Sequence, residues 1–301
     1  MRESVALAAS EPFKEEFYHM KQRIITGTAI LIALIVVVIF SWTPILPALV
    51  SLCAVIAVYE MARCIGMSRA HLFTVPLYLC AAVFPILNRY LTDAEILRRV
   101  NFITIVVALF YFFAIMTFSH GKYSIENVSV LFTTSFYIMM GFTSIIVMYS
   151  QRGEAGHLLY LTIFIGAWIT DVFAYFCGML FGRGGKHKLL PDVSPKKTVE
   201  GSIGGILFCM AFMTLFGWVC SLIYPALNAR LWMFAIGGLV ASVVAQLGDL
   251  FMSVIKRHYG IKDYGTIFAG HGGVLDRFDS ILTVAIALAS LSSFFTFFEV
   301  M

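Results

Sequence analysis

The sequence predicts an all-α, polytopic membrane helix bundle of about nine spans with its amino terminus on the cytoplasmic side. Three observations carry this reading. Of the 301 residues, 60% are hydrophobic and only 13% charged, whereas about 25% charged is usual for a soluble domain. Apolar runs long enough to cross roughly 30 Å of hydrocarbon recur about nine times, at 24–40, 44–62, 71–88, 100–118, 127–149, 158–181, 203–224, 231–254 and 281–298. With the amino terminus inside, all but five of the 21 Lys and Arg fall on the cytoplasmic side, the side on which such residues are retained.

Residues 1–23 read as a cytoplasmic or interfacial leader. The run at 24–40 follows Lys21 and Arg23 as a secretory signal would, but it is long for one and lacks a small-residue exit, so it reads as a retained span. Residues 24–119 form a scaffold of membrane helices whose only notable internal polarity is Glu60, with Arg63 three residues on as its expected interfacial partner. Residues 120–301 are of another character: Asp171, Gln246 and Asp249 lie within apolar runs, and two polar loops, 182–202 and 255–280, join them. Chemistry is expected in this half. The six Cys show no C-x-x-C spacing and read as buried thiols, and the net charge of +4 belongs to a membrane surface, with no nucleic-acid module in sight.

Helical spacing organises the eighth run. At 100° per residue Gln246, Asp249, Ser253, Lys256 and Arg257 share a stripe of about 100°. A carboxylate in hydrocarbon costs about 2.5–3.5 kcal/mol on insertion scales, so Asp249 requires a partner or a wet cavity. The loop that follows ends in GHGGVLDRFDS, 270–280, with Asp276 and Asp279 on one face of the ninth helix's first turn. Two carboxylates so placed repel unless a cation lies between them, and an oxygen-rich site with open positions suits Mg²⁺. Gly270, Gly272 and Gly273 let backbone N–H groups approach an anion. In the other loop, Ser194-Pro195 breaks the chain before Lys196-Lys197-Thr198, presenting two cations and a hydroxyl as a phosphate site. Gly182-Arg183-Gly184-Gly185-Lys186 is not a P-loop, because residue 180 is Leu and His187 follows the lysine. Gly201 and Gly205 read as helix-packing positions.

The run Ser253-x-Ile255-Lys256-Arg257-x₄-Lys262-Asp263-x-Gly265-x₅-His271-Gly272-Gly273-Val274-x-Asp276-Arg277-Phe278-Asp279 closely resembles the signature of the phosphatidate cytidylyltransferases, or CDP-diacylglycerol synthases. Ser194-Pro195-Lys196-Lys197-Thr198-x-Glu200-Gly201 and Gly248-Asp249-Leu250 extend the resemblance over residues 171–280; Ala269 stands where the family usually has Pro. The resemblance implies a nucleotidyltransferase of phospholipid biosynthesis in the cell (inner) membrane. It would move CMP from CTP to phosphatidate at a cytoplasmic active site. It also implies Mg²⁺ held by Asp249 and Asp276, with Asp279, Ser253 and Asp171 as further ligands, and leaves room for a second metal ion and a homodimer. Lys196, Lys197, Lys256, Arg257 and Arg277 would balance phosphate charge, His271, Gly272 and Gly273 would shape the nucleotide pocket, and Ser194, Thr198, Lys262 and Asp263 would touch substrate.

Three other readings stand beside it. The D-G-x₂-A-R-x₈-G-x₃-D-x₃-D pattern of a CDP-alcohol phosphotransferase is absent. A CTP-dependent lipid kinase shares the chemistry most nearly, and an ion-coupled transporter would use Asp171 and Asp249 as an intramembrane path, without the inverted repeats such proteins favour. The charge asymmetry makes a direct prediction: cysteines introduced within 184–190 and 260–268 are both labelled from the cytoplasmic side and a carboxyl-terminal tag is not. Labelling of the two loops from opposite sides contradicts the nine-span arrangement.

Overall fold

The computed structural model describes Thr28 and residues 35–118, 121–150, 155–182, 187–268, 270 and 272–300. The leader 1–23 lies outside the described residues, and so does most of the 24–40 run, of which residues 35–39 are helical. Beyond these, eight helices are long and apolar enough to span a membrane: α1 (Ile45–Cys64), α2 (His71–Tyr90), α3 (Ala94–Phe118), α4 (Ile125–Ser150), α5 (Leu161–Phe181, entered through a one-turn helix Gly156–Leu159), α6 (Val199–Ile223), α7 (Leu231–His258) and α8 (Leu275–Phe294). The protein is thus a multi-pass membrane bundle of the predicted class, with a helix count near nine.

The later helices form a continuous layer in which α5 packs on α6, α6 on α7, α7 on α8 and α8 back on α4, while α1 and α2 pack on α4 from the other side. Small residues make these approaches possible, since between apolar helices in lipid close packing replaces the hydrophobic drive. A Cβ added at Gly238 of α7 would stand 2.7 Å from the Met210 Cα of α6, and one at Gly248 would stand 2.8 Å from the Asp279 carbonyl of α8. The expected packing role of Gly201 and Gly205 fits the contacts, for both lie against the α5 backbone at Ala174 and Thr170. Helix α3 is the exception: only Leu97 and Phe112 are buried, and it rides on the edge of the bundle.

Two small antiparallel strand pairs lie outside the helices, the first a hairpin and the second joining distant segments. Lys188–Leu190 (β1) pairs with Ser194–Thr198 (β2) inside the loop 182–202. Leu227–Ala229 (β3) pairs with Phe298–Val300 (β4). The second strand pair corrects the expected ninth run, which extends to 298 in the sequence. Helix α8 stops at Phe294, and the chain then turns extended so that the buried Phe297 packs edge-on against Phe234 at 5.1 Å. Apolar side chains there serve a strand rather than a span. At its other end α8 begins at Leu275, six residues earlier than hydropathy alone suggests, because its first turn is capped by carboxylates described below. Helix α7 has 28 residues, about 42 Å at 1.5 Å per residue, so its last turns outrun the hydrocarbon and bring Lys256 toward water.

Because Gly238 meets backbone, Gly238→Leu is expected to destabilise the detergent-solubilised protein by about 1–3 kcal/mol or more. The lipid-facing Leu239→Ala is expected to stay within about 0.5 kcal/mol. Thermal aggregation midpoints of the two variants check this; equal midpoints contradict the close α6–α7 contact.

Candidate active site

A cavity of about 430 Å³ opens at one end of the bundle. Helix α5 contributes Asp171 and Tyr175, strand β2 contributes Ser194, Lys197 and Thr198, and α6 adds Ser202. From α7 come Gln246, Asp249 and Lys256, one to two turns apart on its polar stripe. The loop after α7 supplies Asp263, and the first turn of α8 supplies Asp276, Arg277 and Asp279. Both polar loops therefore reach the same end of the molecule and share one cavity.

Four of the five carboxylates are met by donors, three of them from distant parts of the chain. Asp276, 7% exposed, accepts from Lys256 Nζ at 3.0 Å on Oδ1, and from the backbone N–H groups of Tyr264 at 2.8 Å and Gly273 at 2.9 Å on Oδ2. Lys256 Nζ also stands 5.3 Å from the centre of the Tyr264 ring, within cation–π range. The Tyr264 hydroxyl donates to the Met252 carbonyl at 2.9 Å. Burial, with Cys64 and the neighbouring carboxylates adding to it, pushes that phenol well above its ordinary value, so it remains a donor. Asp249 forms an ion pair with Lys197. Asp279 Oδ1 accepts from Ser280 N at 2.8 Å, and Ser280 Oγ donates to Asp171 Oδ2 at 3.4 Å. Thr198 caps α6 by accepting from Gly201 N at 3.1 Å while its side chain faces the cavity. Among the described residues the lining sets three cations, Lys197, Lys256 and Arg277, against five carboxylates. The described part of the lining thus holds more carboxylates than cations.

A profile of the cytidylyltransferase family matches residues 21–295. The chain belongs to the cytidylyltransferase family. It is 30% identical over 272 residues to a phosphatidate cytidylyltransferase of Staphylococcus haemolyticus, covering 88% of this chain and 96% of that one. A protein of the same name from Staphylococcus epidermidis is 32% identical over 240 residues, 77% of this chain and 84% of its own. One from Staphylococcus aureus is 40% identical over 166 residues, 55% and 59% of the two chains. The chain is accordingly a nucleotidyltransferase by family.

Within this cytidylyltransferase the cavity brings together ten of the residues singled out in the sequence: Asp171, Ser194, Lys197, Thr198, Asp249, Lys256, Asp263, Asp276, Arg277 and Asp279. Ser253, Arg257, Lys262, Gly272 and Gly273 are not among its lining residues. Arg257 sits on the far edge of the α7 stripe, about 100° round from Lys256, and is exposed. The glycine-rich turn is folded inward: Gly272 has φ +80° and forms a bridge with Phe268, and the Gly273 N–H goes to Asp276. His271 and Ala269 lie outside the described residues, and Lys196 is described only as part of β2.

Four contributors escaped the sequence reading. Tyr175 and Ser202 carry no motif, and Ser280 lies next to Asp279 without a charge to draw notice. The fourth is Glu60. It does not ion-pair with Arg63 among the described residues; it is 2% exposed and accepts from the backbone N–H groups of Val274 at 3.0 Å and Leu275 at 2.8 Å. The N-terminus of α8 holds this carboxylate with two aligned donors and the positive end of the helix dipole acting together.

The Lys256–Asp276 pair is buried on both sides. Lys256→Met strands a carboxylate with only backbone donors and is expected to cost about 3–5 kcal/mol, with the added Asp276→Asn recovering part of the loss. Arg257→Met is expected to stay within about 0.5 kcal/mol. Unfolding midpoints that rank Arg257→Met below Lys256→Met contradict this arrangement.

Proposed function

We propose that this cytidylyltransferase transfers CMP from CTP to phosphatidate, giving CDP-diacylglycerol and pyrophosphate, at a cavity facing the cytoplasm of a cell (inner) membrane. The observation that carries the reading is the meeting of Lys197, Lys256 and Arg277 with four carboxylates, Asp171, Asp249, Asp276 and Asp279, in one cavity at the end of the membrane helices. A lipid phosphate sits at that depth and a soluble nucleotide reaches it from water. The names of the Staphylococcus relatives supply the substrate, and the Lys and Arg asymmetry supports the cytoplasmic side.

In this reaction a phosphatidate oxygen forms a bond to the α-phosphorus of CTP. The bond from that phosphorus to the α,β-bridging oxygen breaks, and pyrophosphate leaves with the electron pair. Catalysis of such an exchange rests on bringing two anions together in line and offsetting their charge. Lys197 and Lys256, now held by Asp249 and Asp276, are placed to turn toward phosphate oxygens, and Arg277 offers a planar fork for two oxygens at once. Thr198 and Ser194 add hydroxyls on the β2 side, and Asp263 stands at the loop side of the cavity. The described lining holds five carboxylates, and carboxylate oxygens that face phosphate oxygens call for a cation between them, so the donor set fits a hard divalent cation.

Among the described residues no three His, Cys, Asp or Glu side chains make an all-protein metal cage. Mg²⁺ needs no such cage, since it keeps waters and binds through one or two carboxylates plus substrate phosphates. Asp249 and Asp279 would hold it together with the substrate phosphates, with Asp171 and Asp276 beside them in the cavity lining; Ser253, on the same α7 stripe, is not among the lining residues. Bound there, Mg²⁺ would offset charge on the phosphates of CTP.

CTP labelled at the α-phosphate, phosphatidate and purified protein are expected to yield labelled lipid with Mg²⁺ and none after chelation, with Asp249→Asn inactive but normally extracted. Label entering lipid from the γ-phosphate instead identifies a CTP-dependent lipid kinase and contradicts the proposal.

A further inference from the structure

The first four helices of the described bundle contribute no residue to the cavity lining, yet one carboxylate from them reaches the catalytic loop. Glu60, in the last turns of α1, is bonded through Oε1 to Val274 N–H and through Oε2 to Leu275 N–H, across more than 200 residues of chain. These are the first N–H groups of α8, the donors that a helix leaves without internal partners, and Val274 has no side-chain cap of its own. The loop is shaped around this carboxylate. A Cβ on Gly265 would stand 2.8 Å from the Glu60 Cδ, and one on Gly273 would stand 2.6 Å from its Oε2. Both glycines lie outside the left-handed region, so space for Glu60, rather than backbone freedom, is what a side chain there would violate.

The next residues are the working ones. Gly273 N–H goes to Asp276, Leu275 N–H goes to Glu60, and Asp276 then meets Lys256 across the cavity. We propose that Glu60 is a positioning residue for nucleotide binding: it clamps the amino terminus of α8 and thereby sets the places of Asp276, Arg277 and Lys256. It also occupies N–H groups that would otherwise compete for substrate phosphate, since an open helix N-terminus is itself an anion site. The inference rests on the proposed reaction for its catalytic meaning, but the clamp itself is a statement about the loop.

Glu60→Gln replaces one accepting oxygen by an amide that donates, so one of the two N–H groups faces another donor. Gly273→Ala presses on the same carboxylate from the opposite side. In hydrogen–deuterium exchange of the full-length protein in detergent, both variants are expected to speed exchange of the segment 262–278 by about tenfold or more, the loss of one charge-assisted contact, while α4 to α6 exchange as before. In kinetics, both are expected to raise the KM for CTP by about tenfold while the KM for phosphatidate holds. A merely structural role lowers the active fraction and leaves both KM values alone. The double variant is expected to be no worse than the more severe single one, because both break a single contact.

Unchanged exchange in 262–278, exchange raised throughout the bundle, or additive effects in the double variant each overturn the clamp. If the wild-type protein places no α-label in lipid, the reaction proposed above falls, and the exchange result still decides whether Glu60 holds the loop.

Discussion

An ionised carboxylate inside a bundle of apolar helices has to be met by donors, and this requirement organises the functional end of the molecule. On insertion scales each such group costs about 2.5–3.5 kcal/mol in hydrocarbon, so none persists alone. Glu60 of α1 is met by the start of α8, Asp276 of α8 by Lys256 of α7 and by the loop at Tyr264 and Gly273, and Asp249 of α7 by Lys197 of β2. Each bond joins parts of the chain that hydropathy alone would leave free to slide. Together they draw α1, α7, α8 and the β1–β2 hairpin to one end and leave a polar hollow between them. Elsewhere, packing of small residues such as Gly238 and Gly248 is enough.

The two lysine–carboxylate pairs give this arrangement a chemical use. A lysine paired with an aspartate holds positive charge in the cavity wall, shielded from water at Lys256–Asp276 and partly open to it at Lys197–Asp249, and the pair is neutral until a phosphate arrives. In the proposed reaction the lysines are then available to phosphate oxygens and the aspartates to a hard cation, so the same side chains serve the empty and the loaded cavity. Stability and activity are coupled for that reason at Lys256 and Asp276, and uncoupled at Arg257, which lies on the exposed edge of α7.

Much of this was legible in the sequence, and the exceptions have physical causes. Span positions follow from hydropathy, because the water-to-lipid boundary acts on each residue locally. The stripe Gln246, Asp249, Lys256 follows from the helical period alone, and the signature over 253–279 identified the family that the later comparisons bear out. Hydropathy places the start of α8 too late because its cap comes from Glu60 on a distant helix, and no local rule carries that information. Residues 295–298 look helical in sequence because they are apolar; the burial of Phe297 and Phe298 against Phe234 is a tertiary fact that apolarity cannot distinguish from a span. The β1–β2 hairpin, with strands of three and five residues, is too short to show an alternating pattern. The inward fold of Gly272 and Gly273 was hidden for a similar reason: glycines that admit a ligand and glycines that admit a neighbouring carboxylate look alike in sequence.

The central claim is that the hollow between α5, α6, α7 and α8 receives the nucleotide. An experimental structure of the protein with Mg²⁺ and a non-hydrolysable CTP analogue tests it most directly. The account predicts phosphate oxygens within hydrogen-bonding distance of Lys197 and Arg277, with Asp249 facing the metal. Nucleotide density at another place on the protein, with the Lys197–Asp249 and Lys256–Asp276 pairs undisturbed, would contradict it.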